Sequence, residues 1–132
     1  IHASSAAIYG DNPEQPKRIS MKPEPKTPYA ITKLDGEYYL RMYAEEYGLN
    51  TNSLRFFNVF GPRQDPKSQY AAAIPIFIHN AVNNLDITIY GDGEQTRDFV
   101  FVKDVVQAGV KAIGFEGKGE VFNVATGKSV SI

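Results

Sequence analysis

The sequence contains no cysteine, which excludes disulfide bonds and cysteine-ligated metals and is consistent with a cytoplasmic protein. The only two histidines, His2 and His79, lie far apart, and no carboxylates stand near them at a spacing typical of a metal site. The sequence therefore predicts no metal centre. Lysine and arginine do not cluster, and the formal net charge is -1, which argues against a nucleic acid as a partner.

Long apolar runs and glycine-rich motifs are also missing. No run approaches the ~20 residues of a membrane span and no signal peptide is visible, so we expect no membrane partner. None of the 11 glycines forms a G-x-G-x-x-G or G-x-x-G-x-x-G motif between a strand and a helix. The chain lacks an initiator methionine and opens inside a predicted strand. Its 132 residues, 42% of them hydrophobic, suffice for one globular domain with a core.

A long helix is predicted from about Tyr29 to Tyr47. Thr27 can cap its start, Pro28 suits its first position, and Gly48 can end it. Two apolar stripes line this helix, formed by Ile31, Leu34, Tyr38 and Met42 and by Tyr39, Tyr43 and Tyr47. One stripe can pack on a sheet, so the second predicts either a partner molecule or an aromatic-rich core.

Tyr29 and Lys33 lie one turn apart on the same face of this helix. A cation next to a phenol favours the phenolate, so the pair can act as a base near neutral pH. Ser5, at the predicted end of the first strand, can add a hydroxyl to such a site. The alternative is a solvated row of salt bridges that continues through Glu37, Arg41 and Glu45, with Tyr29 as a simple helix-start aromatic.

The rest of the chain predicts alternating strands and helices. An irregular surface loop from Asp11 to Thr27, either a plain crossing or a lid, comes after the first strand. The predicted elements are a strand over Asn52–Phe60, a helix over Tyr70–Asn83 that properly begins near Ile74, a hairpin of Ile87–Tyr90 with Arg97–Val102, a helix over Val105–Phe115 capped by Asp104, and a strand over Val121–Ala125. We also expect a further helix to start near Ile132. These elements predict an α/β fold.

Four motifs occur in an order that resembles one known family. They are the Ser5 strand end followed by Tyr29-x-x-x-Lys33, RFFNVFGP at Arg55–Pro62, YGDGEQTRDFV at Tyr90–Val100 and FNVATG at Phe122–Gly127. This set resembles the extended branch of the short-chain dehydrogenase/reductases, the nucleotide-sugar epimerases and dehydratases. The resemblance implies part of a doubly wound Rossmann-like parallel sheet with an interleaved smaller substrate-binding lobe. Since that family carries a glycine-rich dinucleotide turn, we expect residues 1–132 to be the C-terminal portion of a longer domain.

The resemblance further implies NAD as cofactor and a role for each of several residues. Tyr29 removes a proton from a sugar hydroxyl, Lys33 assists it and binds the nicotinamide ribose, and Ser5 holds the sugar oxygen. A 4-keto sugar forms, turns over and is reduced on its other face. The implied cofactor-binding residues are Ser4, Tyr29, Lys33 and Phe57. The implied substrate-binding residues are Ser5, Asn58, Gln64, Ala73, Thr88, Tyr90 and Arg97. We expect Ser5, Tyr29 and Lys33 to share one cleft that Asn58 and Arg97 also border.

Some of these roles have plain structural alternatives. Arg97 offers a planar fork that matches a diphosphate, but it could instead pair with Asp92 or Asp98. Asn58 could simply initiate a turn, and the small side chains of Ala72 and Ala73 could serve core packing rather than a nearby uracil ring.

The two residues after Ser5 limit the reactions that the site can catalyse. The 4,6-dehydratases carry an acid pair where this chain has Ala6 and Ala7, so water elimination is disfavoured. The RQDP corner that contains Gln64 favours a 4-epimerase of a UDP-hexose or UDP-N-acetylhexosamine. ADP-heptose 6-epimerases and UDP-glucuronate decarboxylases remain alternatives. Relatives commonly pair through the long helix, which implies a homodimer. A different hypothesis is that residues 1–132 alone are an inactive, self-associating piece without a dinucleotide turn.

Overall fold

The computed structural model describes residues 1–68 and 72–132 as an α/β fold. A first strand, β1 (His2–Ser5), runs into a short 3₁₀ helix (Ala6–Tyr9). The remaining elements are α1 (Pro28–Tyr47), β2 (Thr51–Phe56), β3 (Asn58–Phe60), α2 (Ala73–Val82), β4 (Thr96–Arg97), β5 (Phe99–Phe101), α3 (Val102–Ile113), β6 (Lys118–Val124) and β7 (Val130–Ser131). Strands β1, β2 and β6 form a parallel sheet in that order, which confirms the predicted fold class. Within the described residues, no helix is long and apolar enough to cross a membrane.

Helix α1 has the predicted bounds because its end signals are local. The side chain of Thr27 accepts a hydrogen bond from the amide of Ala30 at 3.1 Å, and Gly48 ends the helix in the left-handed conformation at a φ of 66°. Gly36 lies in the middle of the helix, where glycine is normally unfavourable. Glycine is needed at this position because a Cβ would come within 2.4 Å of the His2 ring. The helix can therefore pack closely against β1.

The buried face of α1 differs from the predicted stripes. Leu34 is buried, whereas the other members of both stripes are exposed. The buried positions are Ala30, Leu34, Glu37 and Ala44. The alternative of a solvated salt-bridge row is wrong for Glu37, which turns inward and pairs with Arg55 of β2. Leu34, two alanines and one paired charge are thus buried, and the large aromatic side chains are exposed.

The predicted strand over Asn52–Phe60 is two strands, because the backbone changes partner at Phe57. The amide of Phe57 donates to Val124 of β6 at 3.2 Å, and the next amide, of Asn58, donates to Asp98 at 3.1 Å. From Asn58 onward the chain pairs in parallel with β5. The segment from β2 to β3 therefore runs without a loop from the main sheet into a second, two-stranded sheet.

The predicted hairpin is wrong. Residues 87–90 form no strand, and β4 pairs antiparallel with β7 rather than with the segment before the turn. The pairing is extended by the amide of Ile132, which donates to the carbonyl of Gln95 at 3.2 Å. A strand thus forms at Val130–Ser131, directly before the point near Ile132 at which we expected a helix to start.

The remaining helices differ from prediction mainly at their starts. Helix α3 begins at Val102 after Phe101, so Asp104 lies inside its first turn and does not cap it. Helix α2 begins at Ala73, close to the expected start near Ile74. The earlier part of that predicted helix, from Tyr70, lies partly outside the described residues.

The buried apolar residues form two hydrophobic clusters. One contains Ile8, Tyr9, Met21 and Leu34, and the other contains Leu54, Val100, Ala112 and Val124. Phe57 packs against both clusters. The loop over 11–27 is irregular, as predicted, but Met21 anchors it in the first cluster and the amide of Glu24 donates to Ile8 at 2.8 Å. The loop is therefore packed onto the domain.

Glu37 and Arg55 form a buried ion pair between α1 and β2. Arg55 Nε and Nη2 donate to the two carboxylate oxygens of Glu37 at 2.9 and 2.7 Å. Ser4 of β1 also donates its hydroxyl hydrogen to this carboxylate, and Arg55 Nη1 donates to the hydroxyl of Tyr9 at 2.9 Å. Tyr9 in turn donates to Asn123 of β6 at 2.7 Å. The network joins α1 to all three strands of the main sheet.

The environment keeps the Arg55 guanidinium charged. Burial by itself lowers the pKa of Arg55, but its hydrogen bonds to Glu37 and Tyr9 and the charge of Glu37 outweigh burial and raise that pKa above its ordinary value. The Arg55 Cζ atom also lies 4.9 Å from the centroid of the Tyr9 ring. Glu37 therefore balances a charge that cannot be removed by deprotonation at any physiological pH.

Replacement of Glu37 by glutamine keeps the side-chain volume but leaves a buried guanidinium without its counter-charge. Because an unpaired buried charge costs roughly 3–5 kcal/mol, we expect the free energy of unfolding of Glu37→Gln to fall by about that amount. Urea denaturation followed by circular dichroism measures it. Glu45→Gln, at an exposed position of the same helix, is the control and should stay within about 0.5 kcal/mol of the wild type. Equal unfolding midpoints for the two variants would contradict the role of Glu37 as the counter-charge.

Candidate functional site

The hydroxyl of Ser5 lies at the carboxyl end of β1. Its oxygen accepts a hydrogen bond from the amide of Ala7 at 3.1 Å, which caps the 3₁₀ helix. The hydroxyl hydrogen remains available, since a serine oxygen can donate one hydrogen bond while it accepts others. Ser5 is only partly buried. It can therefore donate a hydrogen bond to a ligand oxygen at this sheet edge.

Tyr29 and Lys33 lie at the start of α1, as predicted. Tyr29 is 56% exposed, so its phenol is accessible to a ligand. The Lys33 Nζ atom lies 5.6 Å from the centroid of the Tyr29 ring and donates a hydrogen bond to the carbonyl of Ala3 at 2.9 Å. The ammonium is therefore held between the phenol and the backbone of β1.

The two other predicted cofactor residues have different surroundings. Ser4 is 2% exposed and its hydroxyl is engaged with Glu37, so its side chain is not presented to a ligand. Phe57 is partly buried where the backbone passes from β2 to β3. This position is at the carboxyl end of a parallel strand, the edge at which α/β sheets bind nucleotides.

A second group of predicted residues lines a cleft of about 450 Å³ between α2 and the β4–β5 region. The cleft contains five of the seven predicted substrate residues, namely Asn58, Ala73, Thr88, Tyr90 and Arg97. It combines one cation with amides and hydroxyls and with an apolar wall that includes Ile76, Phe77 and Phe99. Such a mixture suits a ligand that carries both a charged group and a planar or apolar part.

Arg97 has no acidic partner within the described residues. Its Nη1 donates to the carbonyl of Thr96 at 2.8 Å. Asp98 does not pair with it, because the Asp98 carboxylate accepts hydrogen bonds from the amides of Thr126 and Gly127 at 2.9 and 2.8 Å. Arg97 and Asp98 therefore do not form the salt bridge that was the structural alternative. The guanidinium can meet an anion in the cleft.

Asn58 and Gln64 are placed differently from each other. The Asn58 side chain lines the cleft and donates to the carbonyl of Asp98 at 3.3 Å. Gln64 is not among the residues of the cleft. It borders a neighbouring depression, donates to the carbonyl of Val59 at 3.3 Å and has a buried Oε1 atom without a hydrogen-bond partner. The structure thus places Gln64 outside the cleft that contains five of the predicted substrate residues.

The expected single cleft for all five key residues is not observed. Asn58 and Arg97 line the cleft between α2 and the β4–β5 region, whereas Ser5, Tyr29 and Lys33 do not line it. The two groups are nevertheless neighbours along the sheet edge. Ser5 is the register partner of Phe56, and Asn58 comes two residues after Phe56. The change of sheet at Phe57 accounts for the separation.

Sequence reasoning missed several residues of this cleft. Asn80 and Gln95 add amide groups, and Ile132 closes one side. Asn80 lies two helical turns from Ala73 on α2, so helical periodicity could have placed it on the same face. Ile132 carries no such signal, because its position depends on the pairing of β4 with β7.

A larger cavity of about 500 Å³ lies between α3 and β6 and contains none of the predicted site residues. Its lining is mainly aliphatic and aromatic, which fits packing better than chemistry. Within residues 1–68 and 72–132, no three histidine, cysteine, aspartate or glutamate side chains come close enough together to hold a metal ion.

Comparison with known proteins gives matches along nearly the whole chain. The chain is 43% identical over 132 residues to the UDP-glucose 4-epimerase of Mycolicibacterium smegmatis, covering 99% of this chain and 42% of that protein. It is similar, with a TM-score of 0.96 and 47% identity, to the structure of a UDP-N-acetylglucosamine 4-epimerase from Methanobrevibacter ruminantium in complex with UDP-N-acetylmuramic acid. The UDP-glucose 4-epimerase of Thermotoga maritima, solved with UDP-glucose, gives a TM-score of 0.90 and 42% identity.

These structural matches cover 98–99% of this chain and 42% of each matched chain, so the chain spans less than half the length of these relatives. The model of the NAD dependent epimerase/dehydratase family matches residues 1–125. The match includes β1, α1 and most of the Arg97 cleft. The chain therefore belongs to the NAD dependent epimerase/dehydratase family.

Proposed function

We propose that the intact protein is an NAD-dependent nucleotide-sugar 4-epimerase that acts on a UDP-hexose or UDP-N-acetylhexosamine. The observation that carries the proposal is the sheet edge at which Ser5 pairs with Phe56 and Asn58 comes two residues later. This edge joins the hydroxyl, phenol and ammonium group to the Arg97 cleft. The names of the relatives, which are 4-epimerases of UDP-glucose and UDP-N-acetylglucosamine, support the same reaction.

The residues present at this edge fit a nicotinamide cofactor. The ammonium of Lys33 and the accessible phenol of Tyr29 suit a ribose with its two hydroxyls, and Phe57 offers an apolar side chain at the same edge of the sheet. We assign these three residues to the cofactor and exclude the side chain of Ser4, which is engaged with Glu37. When bound, NAD supplies the capacity to accept a hydride from the sugar and to return it.

The chain's own residues move and hold the proton. Tyr29, as the phenolate, accepts the proton of the sugar 4-hydroxyl and later returns it. Lys33 stabilises the phenolate by its positive charge, 5.6 Å from the ring. Ser5 donates its free hydroxyl hydrogen to the same sugar oxygen, which orients it toward Tyr29. Since the proton leaves and returns, the reaction has no net acid or base requirement.

The cleft is proposed to hold the nucleotide and its diphosphate. Arg97, without an acidic partner in the described residues, provides a charged fork for two phosphate oxygens. Asn58, Thr88 and Tyr90 supply polar groups, and Ala73 leaves room at the start of α2. Gln64 stays a candidate for the sugar itself, because its buried Oε1 atom lacks a partner.

Water elimination is disfavoured by the two residues after Ser5. Ala6 and Ala7 begin the 3₁₀ helix at the edge of the site and carry no acidic or basic group. A 4,6-dehydratase needs an acid and a base beside the sugar to remove water. Neither Ala6 nor Ala7 can supply one.

The intact protein should interconvert UDP-glucose or UDP-N-acetylglucosamine with its C4 epimer, and Tyr29→Phe should abolish this. Because the variant lacks only the proton-accepting oxygen, we expect kcat to fall by at least roughly 100-fold with little change in UDP-sugar affinity. Product analysis by chromatography and binding calorimetry measure the two quantities. Tyr38→Phe, at an exposed position of the same helix outside the proposed dimer face, is the control.

Two outcomes would contradict this assignment. Unchanged turnover by Tyr29→Phe would remove Tyr29 as the base. Conversion of ADP-heptose or decarboxylation of UDP-glucuronate, with no epimerisation of either UDP-sugar, would show that the proposed 4-epimerase reaction is wrong.

Arg97→Gln should weaken UDP-sugar binding, because it removes the charged donor to the diphosphate. A hydrogen bond to a charged group contributes about 1.5–3 kcal/mol, so we expect the Kd to rise roughly 10- to 150-fold. Isothermal titration calorimetry checks this. Arg41→Gln makes the same change at an exposed position of α1 outside the cleft and should leave the Kd within about twofold. Equal effects of both substitutions would indicate a general charge effect rather than a contact.

We also propose that the intact protein is a homodimer that pairs through the outer face of α1. Tyr39, Tyr43 and Tyr47 of this face are 63%, 43% and 69% exposed. Large aromatic side chains grouped on one helix face are typical of an interface.

Tyr43→Glu should convert this dimer to a monomer, because it places a charge at the centre of an apolar contact. Sedimentation velocity measures the change. Val110→Glu, which adds the same charge to an exposed position of α3, should leave the oligomeric state unchanged. A monomeric wild type would contradict the proposed homodimer.

A further inference from the structure

The segment that carries Ser5 is attached at both ends to the buried ion pair. Ser4, directly before it, contacts Glu37, and Tyr9, four residues after it, contacts Arg55. We propose that Ser4 and Glu37 are positioning residues, which hold Ser5 at the place that the chemical step requires relative to Tyr29 and Lys33. This inference rests on the proposed function, since it assigns a role in that reaction.

The first support is the set of contacts between β1 and α1. Three consecutive residues of β1 contact the helix one after another. The His2 Nε2 atom lies 3.0 Å from the carbonyl oxygen of Lys33, the carbonyl of Ala3 accepts from Lys33 Nζ at 2.9 Å, and Ser4 donates to Glu37. Lys33 and Glu37 are one turn apart on α1, on the face that begins with Tyr29. A shift of the strand end would therefore also move the ammonium that faces the phenol.

The second support lies on the other side of Ser5. The Tyr9 ring is 1% exposed and its centroid lies 4.9 Å from the Arg55 guanidinium carbon. Its hydroxyl accepts from Arg55 and donates to Asn123, whose amide donates to the carbonyl of Lys17 at 2.9 Å. The Tyr9 hydroxyl is thus engaged both as a donor and as an acceptor. The 3₁₀ helix cannot rotate without breaking these contacts.

The chemistry of the pair explains why it suits positioning. Two parallel hydrogen bonds between a guanidinium and a carboxylate define distance and angle together, which an apolar contact does not. Apolar residues of the same volume often stabilise a fold as well as a buried ion pair does. Stability alone therefore does not require Glu37 and Arg55. A supporting layer that holds a reactive side chain within about half an ångström of its productive place does require defined geometry.

Ser4→Ala is the sharpest test, because it leaves the ion pair intact and removes only its link to β1. In the intact protein we expect kcat for UDP-sugar epimerisation to fall roughly 10- to 100-fold, while KM and the amount of bound NAD, read from its absorbance, stay unchanged. Ser53→Ala is the matched control. It removes a buried hydroxyl of the neighbouring strand that forms no hydrogen bond with Glu37 or Arg55 in the described part of the chain.

A double variant separates positioning from a general loss of structure. If Ser4 acts through Ser5, then Ser4→Ala adds little to the loss already caused by Ser5→Ala, whereas independent structural damage would add its full factor. Tyr9→Phe tests the other end of the segment, and it should lower kcat in the same way with KM unchanged. This variant also keeps the test decisive if Ser4→Ala does not fold.

The outcomes distinguish this inference from the proposed function. An active wild type with an unchanged kcat in Ser4→Ala and Tyr9→Phe overturns the inference alone. Loss of bound NAD from Ser4→Ala overturns it in favour of a cofactor contact by Ser4. A wild type that epimerises no nucleotide sugar overturns the proposed function, and the inference is then discarded with it.

Discussion

A buried charge that must stay paired determines how this fold is assembled. Arg55 is 4% exposed and stays protonated, so the domain can close only if Glu37 reaches it from α1. That requirement sets the rotation of the helix about its axis and its height over β1 and β2. The hydroxyls of Ser4 and Tyr9 complete the network, and both belong to the segment that carries Ser5. The position of the candidate site therefore depends on the same contacts as the core.

The second determining feature is the change of partner at Phe57. Up to this residue the backbone belongs to the parallel sheet that positions Ser5, and beyond it the backbone belongs to the β3–β5 pair that borders the cleft. A short, packed connection thus links the group that is proposed to move protons with the group that is proposed to bind the nucleotide. Phe57 packs against both hydrophobic clusters, one of which contains Val100 of β5.

Some elements could be predicted because their signals are local in the sequence. Others could not, because they depend on contacts between distant residues. Helix α1 was predicted with its bounds because Thr27, Pro28 and Gly48 act on their own neighbours. The hairpin prediction failed because Gly91 and Gly93 indicate a turn but do not indicate which strand pairs with β4. The apolar stripes of α1 predicted the wrong buried face for a related reason. Hydrophobicity favours burial, yet the contact with β1 and β6 is so close that mainly small side chains and Glu37 fit there.

The sequence by itself determined the fold class, the family resemblance and the positions of Ser5, Tyr29 and Lys33 on a strand end and a helix start, since these depend on capping, periodicity and short motifs. Only the tertiary structure decided that Glu37 is a buried partner of Arg55, that Ser4 faces the core, and that Gln64 lies apart from the Arg97 cleft. The physical reason is that burial and charge pairing join residues far apart in the chain. No local pattern records which distant group will balance a given charge.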